Sequence, residues 1–220
     1  MLGNFFLVAD FLIGALDFFA PVVSRGRPDK LKAITVNDQA FQIRAADEGD
    51  IPQIRDIYTH YVLNGLASFE IEAPDLAEIT RRWHRTGADG YPYPYPYPYP
   101  YLVAEIDGRI GGYAYAGSFR ERPAYRYTVE DSVYVSPDFL GLGLGGGLLA
   151  ALIDLCTGLG YRQMIAVIGD AANDQSINLH LRLGFEHAGV LGSTGFKHGR
   201  WIDSVMMQRA LGDGDSAAPV

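Results

Sequence analysis

One cysteine, Cys156, in 220 residues leaves no partner for an internal disulfide and excludes any site built from several thiolates. Cations are also scarce: 18 Lys and Arg against 26 Asp and Glu give a net charge of −8. That balance argues against a general nucleic-acid binder, whose basic face must neutralise phosphates. It does not exclude a small anionic ligand, because main-chain N–H groups hold phosphates without any net charge. Trp is limited to two residues, yet apolar side chains make up 48% of the chain and charged ones 20%. Such a composition supports a packed core and is far from that of a disordered chain. A single thiol fits a reducing cytoplasm, and the length fits one domain with an appendage.

Two stretches are compositionally biased. Residues 5–23, FFLVADFLIGALDFFAPVV, carry five of the eleven Phe. They are nearly long enough to span a bilayer, but Asp10 and Asp17 would each cost roughly 2.5–3.5 kcal/mol near its centre. No positive residue precedes the run and no convincing cleavage site comes after it, so it is a poor signal peptide. Arg25, Arg27, Lys30 and Lys32 would suit a weak surface anchor. An accessory extension over residues 1–40 is nevertheless preferred to a membrane contact. Residues 91–101 read YPYPYPYPYPY. Each Pro lacks an N–H and keeps the preceding Tyr out of the helical region, so this is extended, polyproline-like loop. Its spacing is P-x-P and not the P-x-x-P of a docking ligand, which favours an expanded loop repeat.

Between them the chain alternates. Phe41 to Arg44 reads as a strand, and Asp47 caps a helix with Ile51, Ile54, Ile57, Tyr58 and Tyr61 on one face. Pro74 opens a second helix to Arg85, with Leu76, Ile79 and Trp83 inward. Leu102–Ile106, the Asp107-Gly108 turn and Arg109–Ala116 make a hairpin. Next come a strand over 127–135, a helix over 144–159, a buried strand over 163–168 and a helix over 173–183. Two strands close the series, near 187–191 and 201–209. The expectation is one β-rich α/β domain over 41–209, with a disordered tail at 210–220.

The segment 140–147, LGLGLGGG, joins a strand to the long helix. Its free N–H groups at a helix N-terminus form an anion cradle suited to a pyrophosphate. Gly141, Gly143 and Gly146 satisfy G-x-G-x-x-G, and Asp170 lies where a ribose-binding acid would sit. A dinucleotide-dependent oxidoreductase is therefore one reading. Against it, that motif normally opens a βαβ unit, whereas here a hairpin meander precedes it.

A second pattern, downstream of the loop, is more specific: Asn173-x-x-Ser176-x-x-x-His180-x-x-Leu183-Gly184-Phe185, after the strand Ala166-Val167-Ile168-Gly169. With Val133-Tyr134-Val135-Ser136-Pro137 and the glycine loop, these residues resemble motifs A and B of the GNAT N-acetyltransferase superfamily. Residues 102–108, 112–117, 124–132, 167–169 and 195–199 extend the likeness to its phosphinothricin N-acetyltransferase group. The resemblance covers nearly all of 41–209 but not the N-terminal extension. It implies a mixed, mostly antiparallel sheet flanked by helices, with splayed strands forming an acetyl-CoA cleft. It also implies acetyl transfer to the amino group of a small amino-acid-like molecule, in a cytoplasmic homodimer that needs no metal.

The same resemblance assigns roles. Gly141, Leu142, Gly143, Leu144, Gly145 and Gly146 match the loop that cradles the CoA pyrophosphate. Relatives interleave cations there, and this chain has Leu140, Leu142 and Gly146 instead. Val133, Tyr134 and Val135 match the strand whose N–H points at the thioester carbonyl; Asn173 and Ser176 match the start of motif B, which holds the pantetheine arm. Glu130 matches the general base in A-Y-x-x-T-x-E, while neighbouring Asp131 points to the opposite strand face. His180 matches a histidine near the CoA sulfur that would assist thiolate departure. Phe69, Arg120, Arg122 and Tyr125 match the pocket for an acidic amino-acid analogue such as phosphinothricin. Glu70, where some relatives have Arg, would shift the preference to methionine sulfoximine or another amine. Lys197, His198 and Trp201 are expected at the far rim or a subunit contact. Cys156, beside a leucine stripe, reads as a small buried hydrophobe. A non-catalytic acyl-CoA-binding module is the remaining alternative.

Overall fold

The computed structural model describes residues 33–36, 39–87 and 99–219. The 5–23 stretch, the four basic residues after it and most of the Tyr-Pro repeat lie outside them. Among the described residues eight strands form one sheet: β1 (Ala33–Val36), β2 (Gln39–Ala45), β3 (Tyr101–Ile106), β4 (Arg109–Ser118), β5 (Thr128–Val135), β6 (Gln163–Gly169), β7 (Glu186–Lys197) and β8 (Arg200–Ala210). Their spatial order is β1-β2-β3-β4-β5-β6-β8-β7. Every neighbouring pair is antiparallel except β5 and β6. That one parallel pair requires a crossover, supplied by helix α3 (Leu144–Gly158).

Alternation along the inner strands builds two cores, one on each sheet face. Tyr101, Val103 and Tyr113 pack with Ile51, Ile54, Ile57, Tyr58 and Val62 of α1 (Ile51–Asn64) and with Ile79 and Trp83 of α2 (Leu76–Arg85). Leu102, Ala104, Ala114 and Ala116 face the other way, toward Leu144, Leu148, Leu149 and Leu152 of α3. Helix α4 (Asp174–Arg182) joins that second layer and ends before Gly184, whose φ of +80° suits a residue without a Cβ.

The expected α/β class holds, with several local differences. The sheet begins earlier than residue 41: β1 pairs with β2 inside the stretch assigned to the extension. Asp47 caps a short 3₁₀ turn, Glu48–Asp50, that leads into α1. Leu76 is exposed, because it sits in the first turn of α2. The tail expected to be disordered instead turns back: Leu211 is buried and its N–H donates to the Arg162 carbonyl at 2.9 Å. The strand at 187–191 runs on to Lys197, because β8 supplies hydrogen-bond partners along that length.

Candidate active site

The parallel ladder between β5 and β6 stops at the pair Asp131–Ala166, although β5 continues to Val135 and β6 to Gly169. β5 stays on β4 to its end (Gly112–Val135), and β6 stays on β8 (Gly169–Ser204). The two strands therefore splay, and a cleft opens between them. It holds two adjoining cavities of about 540 and 330 Å³, both bordered by Ala67, Val133, Asn173 and Ser176.

The smaller cavity lies against the glycine loop, with Gly141, Gly143, Leu144, Gly145 and Gly146 on its wall. Gly143 starts α3 at φ +81° with no side-chain cap, so the first N–H groups of the helix have no intrahelical partner. A Cβ on Gly146 would meet only Leu179, at 3.9 Å, and one on Gly145 would meet Leu179 and Val135, both at 3.5 Å. Gly147 faces the sheet, where a Cβ would come within 3.1 Å of the Phe41 ring. These are features of an anion cradle, open on one side and tight on the other. Leu140 lines the cavity, but the Leu142 side chain packs on the core. Leu142 is thus in the loop without presenting its side chain to the cleft. Asn173 caps α4: its Oδ1 accepts from the Ser176 N–H at 3.2 Å and its Nδ2 donates to the Gly169 carbonyl at 3.4 Å. Ser176, Leu179 and Arg182 succeed one another at three-residue steps along the cleft face of α4. Arg182, which the sequence reading missed, is the one cation on this wall among the described residues. The signal lay in that spacing from Ser176.

The larger cavity begins where the strands part. Glu130, Asp131, Ser132, Val133 and Tyr134 of β5 line it, facing Ala67, Ser68, Phe69 and Glu70 of the loop after α1. Burial first, and then the negative charge of Asp131, push the Glu130 carboxyl up to about 7. The Val135 carbonyl accepts from Tyr61 Oη at 2.6 Å, which turns this main-chain edge toward the cleft. Val133 shares that edge, two residues earlier. His180 is buried on α4 with both ring nitrogens engaged: Nδ1 lies 2.7 Å from the Ser176 carbonyl and Nε2 3.1 Å from Asp131 Oδ2. Burial opposes its charge, yet these two acceptors together raise its pKa above the ordinary value. With both nitrogens occupied, His180 has no free N–H for a departing thiolate.

Phe69 is held by close packing. A Cβ on Gly195 would fall 2.5 Å from its ring. Lys197, expected at a rim, is buried, and its Nζ donates to the Ser68 carbonyl at 2.6 Å, tying the loop to β7. Desolvation lowers its pKa, with Glu70 opposing. Glu70 accepts from Tyr58 Oη at 2.8 Å and from Arg82 at 2.5 Å. Trp201 is exposed and stacks edge-on against Phe196. His198, also exposed, takes φ +50° in the β7–β8 turn.

Other expected residues lie elsewhere. Arg120, Arg122 and Tyr125 sit in the β4–β5 connection around a separate cavity with Glu121, and Arg120 stacks over Phe119 and Tyr125. Within one chain they do not reach the cleft. Asp170 is not a free ribose acceptor: its carboxylate takes the Ala172 N–H at 3.1 Å and pairs with Arg200 at 2.5 Å. Cys156 is buried in α3, and burial pushes its thiol well above the usual range. Cys156→Ala is therefore expected to keep full turnover in a thiol-release assay; a folded but inactive variant would instead indicate a covalent intermediate.

Among the described residues no helix is long and apolar enough to cross a membrane, and no group of three or more His, Cys, Asp or Glu is placed to hold a metal. Residues 67–185 match the model of the acetyltransferase (GNAT) family. The chain is 48% identical over 180 residues to a phosphinothricin N-acetyltransferase of Alcaligenes faecalis, covering 82% of this chain and 87% of the relative. It is 41% identical to an L-methionine sulfoximine/L-methionine sulfone acetyltransferase of Pseudomonas aeruginosa, over 80% of this chain and 98% of that one. Among solved structures, a GNAT superfamily phosphinothricin acetyltransferase from Sinorhizobium meliloti in complex with AcCoA superposes with a TM-score of 0.76 at 46% identity, covering 82% and 93% of the two chains.

Proposed function

The chain belongs to the acetyltransferase (GNAT) family, and from that premise we propose that it transfers an acetyl group from acetyl-CoA directly to the amino group of a small amino-acid analogue, with Glu130 as general base. The observation that carries this reading is a desolvated carboxyl, raised to about 7, on the wall of the strand cleft beside the glycine cradle. An ammonium is inert as a nucleophile until a base removes its proton, and a base of that strength works near neutral pH.

The residues present fit the co-substrate. Uncapped N–H groups of α3 suit its pyrophosphate, and the cleft between Val133 and Asn173 leads from there to Glu130. Bound acetyl-CoA supplies an activated thioester. Main-chain donors on the unpaired edge of β5 lie ready for charge on its carbonyl oxygen. Glu130 takes the acceptor's proton in a cavity that Phe69 and Tyr134 also line.

No Arg or Lys lines the larger cavity among the described residues, whereas Glu70, Glu130 and Asp131 do. Such a lining disfavours a doubly anionic acceptor, so methionine sulfoximine, with one carboxylate and a neutral tail, is the better fit than phosphinothricin. Thiol release from acetyl-CoA with both compounds and simpler amines tests the reading. Amine-dependent release, faster with methionine sulfoximine, is expected; no release with any acceptor would leave an acyl-CoA-binding module.

Arg182 gives a further expected result. Arg182→Ala should weaken acetyl-CoA roughly fivefold, as for one charge-assisted contact at a partly exposed site, and flatten the salt dependence of binding. Leu140→Arg in that background should recover affinity, since Leu140 faces the same cavity. S-acetylpantetheine, which lacks the phosphates, should bind all three proteins equally in the same titration.

A further inference from the structure

Asp131 is the last residue of β5 paired with β6, so it sits at the vertex from which the cleft opens. It is 7% exposed. Oδ2 lies 3.1 Å from His180 Nε2, while Oδ1 is buried without a protein partner. The hydrogen bonds around His180 fix its protonation. A carbonyl only accepts, so the 2.7 Å contact with Ser176 puts one proton on Nδ1. In that neutral tautomer Nε2 would face the Asp131 carboxylate lone pair to lone pair. The arrangement is bonded on both sides when a proton also lies between Nε2 and Oδ2, and the more basic imidazole, whose pKa Asp131 raises, takes it as an imidazolium. The His180 ring is also clamped edge-on against Phe185, with centroids 4.9 Å apart.

With that proton on the imidazole, Asp131 is left as a carboxylate bonded through one oxygen only, and Glu130 is the next residue along the strand. Although the two side chains leave opposite faces of the strand, the Asp131 charge adds to the partial burial that already disfavours an ionised Glu130. The other groups facing the pair do not replace this influence. Ile165 and Ala166 of β6 carry no charge, Tyr115 of β4 and Cys156 of α3 are neutral, and Glu70 across the cavity is paired with Arg82.

We propose that Asp131, held ionised by His180, is a positioning residue that acts on the reaction through Glu130: a fixed buried charge beside the base that makes its carboxylate the stronger proton acceptor when the acceptor's ammonium arrives. This rests on the reading of Glu130 as the base. Asp131 need not touch the substrate, and His180 serves as its counter-ion rather than as an acid for the thiolate.

Asp131→Asn removes the charge at nearly constant volume. The imidazole of His180, followed by NMR across a pH titration, should then lose its proton at lower pH than in the parent. The acid limb of log kcat/KM should move to lower pH by several tenths of a unit or more, and the plateau rate should fall. Glu130→Gln/Asp131→Asn should be no slower than Glu130→Gln alone, because the second residue works through the first. Should Asp131→Asn fold poorly, Asp131→Thr removes the same charge with a good strand former. An unmoved acid limb in a Glu130-dependent enzyme overturns the proposal, as does a double variant slower by the full factor of Asp131→Asn. Parental turnover in Glu130→Gln would instead overturn the base assignment itself.

Discussion

Glu130→Gln is expected to lower kcat by about 10²–10⁴, the range for loss of a general base, while acetyl-CoA affinity stays unchanged. The amide keeps the shape of the side chain but cannot accept a proton from an ammonium. The pH dependence gives the sharper test. With its carboxyl pushed up to about 7, Glu130 is protonated and useless as a base below that pH. In the parent, kcat/KM should fall tenfold per unit as pH drops through about 7; in Glu130→Gln the remaining activity should lack this limb. Stability should change in the opposite sense. A carboxyl whose folded pKa lies above its unfolded one favours the folded state least once pH has risen through the folded value. Glu130→Gln should therefore melt above the parent at pH 8 and alongside it at pH 4. A variant turning over within a few-fold of the parent at pH 8 would remove Glu130 from the mechanism.

Gly169→Ala should come next in severity. A Cβ there would lie 2.2 Å from the Leu66 carbonyl oxygen and 3.0 Å from the Phe69 ring. The first of these is main chain, so no rotamer change relieves it. The loop must move, and with it Ala67, Ser68, Phe69 and Glu70, one wall of the larger cavity. Misplacing a pocket wall by about an ångström is enough to cost on the order of 10²-fold in rate. Overpacking of this kind also destabilises by roughly 1–3 kcal/mol. The acceptor's KM and kcat should both worsen, while acetyl-CoA affinity holds, since the glycine cradle lies on α3. Gly158→Ala is the control: nothing lies within 4 Å of its Cβ, so turnover and melting should stay at or slightly above parental values. Parental acceptor kinetics in Gly169→Ala would mean that the loop does not shape the pocket.

Periodicity and punctuation made most elements legible. The α1 face of Ile51, Ile54, Ile57 and Tyr58 is buried as the 3.6-residue spacing requires, and α2, expected to open at Pro74, starts at Leu76 behind Asp75, which caps it through the Glu78 N–H. Each is a local matter of side-chain spacing or one short hydrogen bond. Strand ends were less legible, because a strand stops where its partner stops. β7 reaches Lys197 only because β8 runs beside it, and Ala33–Val36 joins the sheet only because β2 is there to pair with it.

The site divides along the same line. The sequence alone placed a glycine loop at a helix start and, through motif resemblance, pointed to Glu130 and Asn173, which do line the cleft, because these depend on residue type and spacing along one strand or helix. It could not show that Leu142 turns into the core while Leu140 faces the cleft. It could not join Asp131 to His180, which lie 49 residues apart. Nor could it show Lys197 as the anchor of a loop some 129 residues earlier in the chain. Only the tertiary structure decided these, because each depends on which strands part, which helix crosses the gap and what a buried charge then finds within reach.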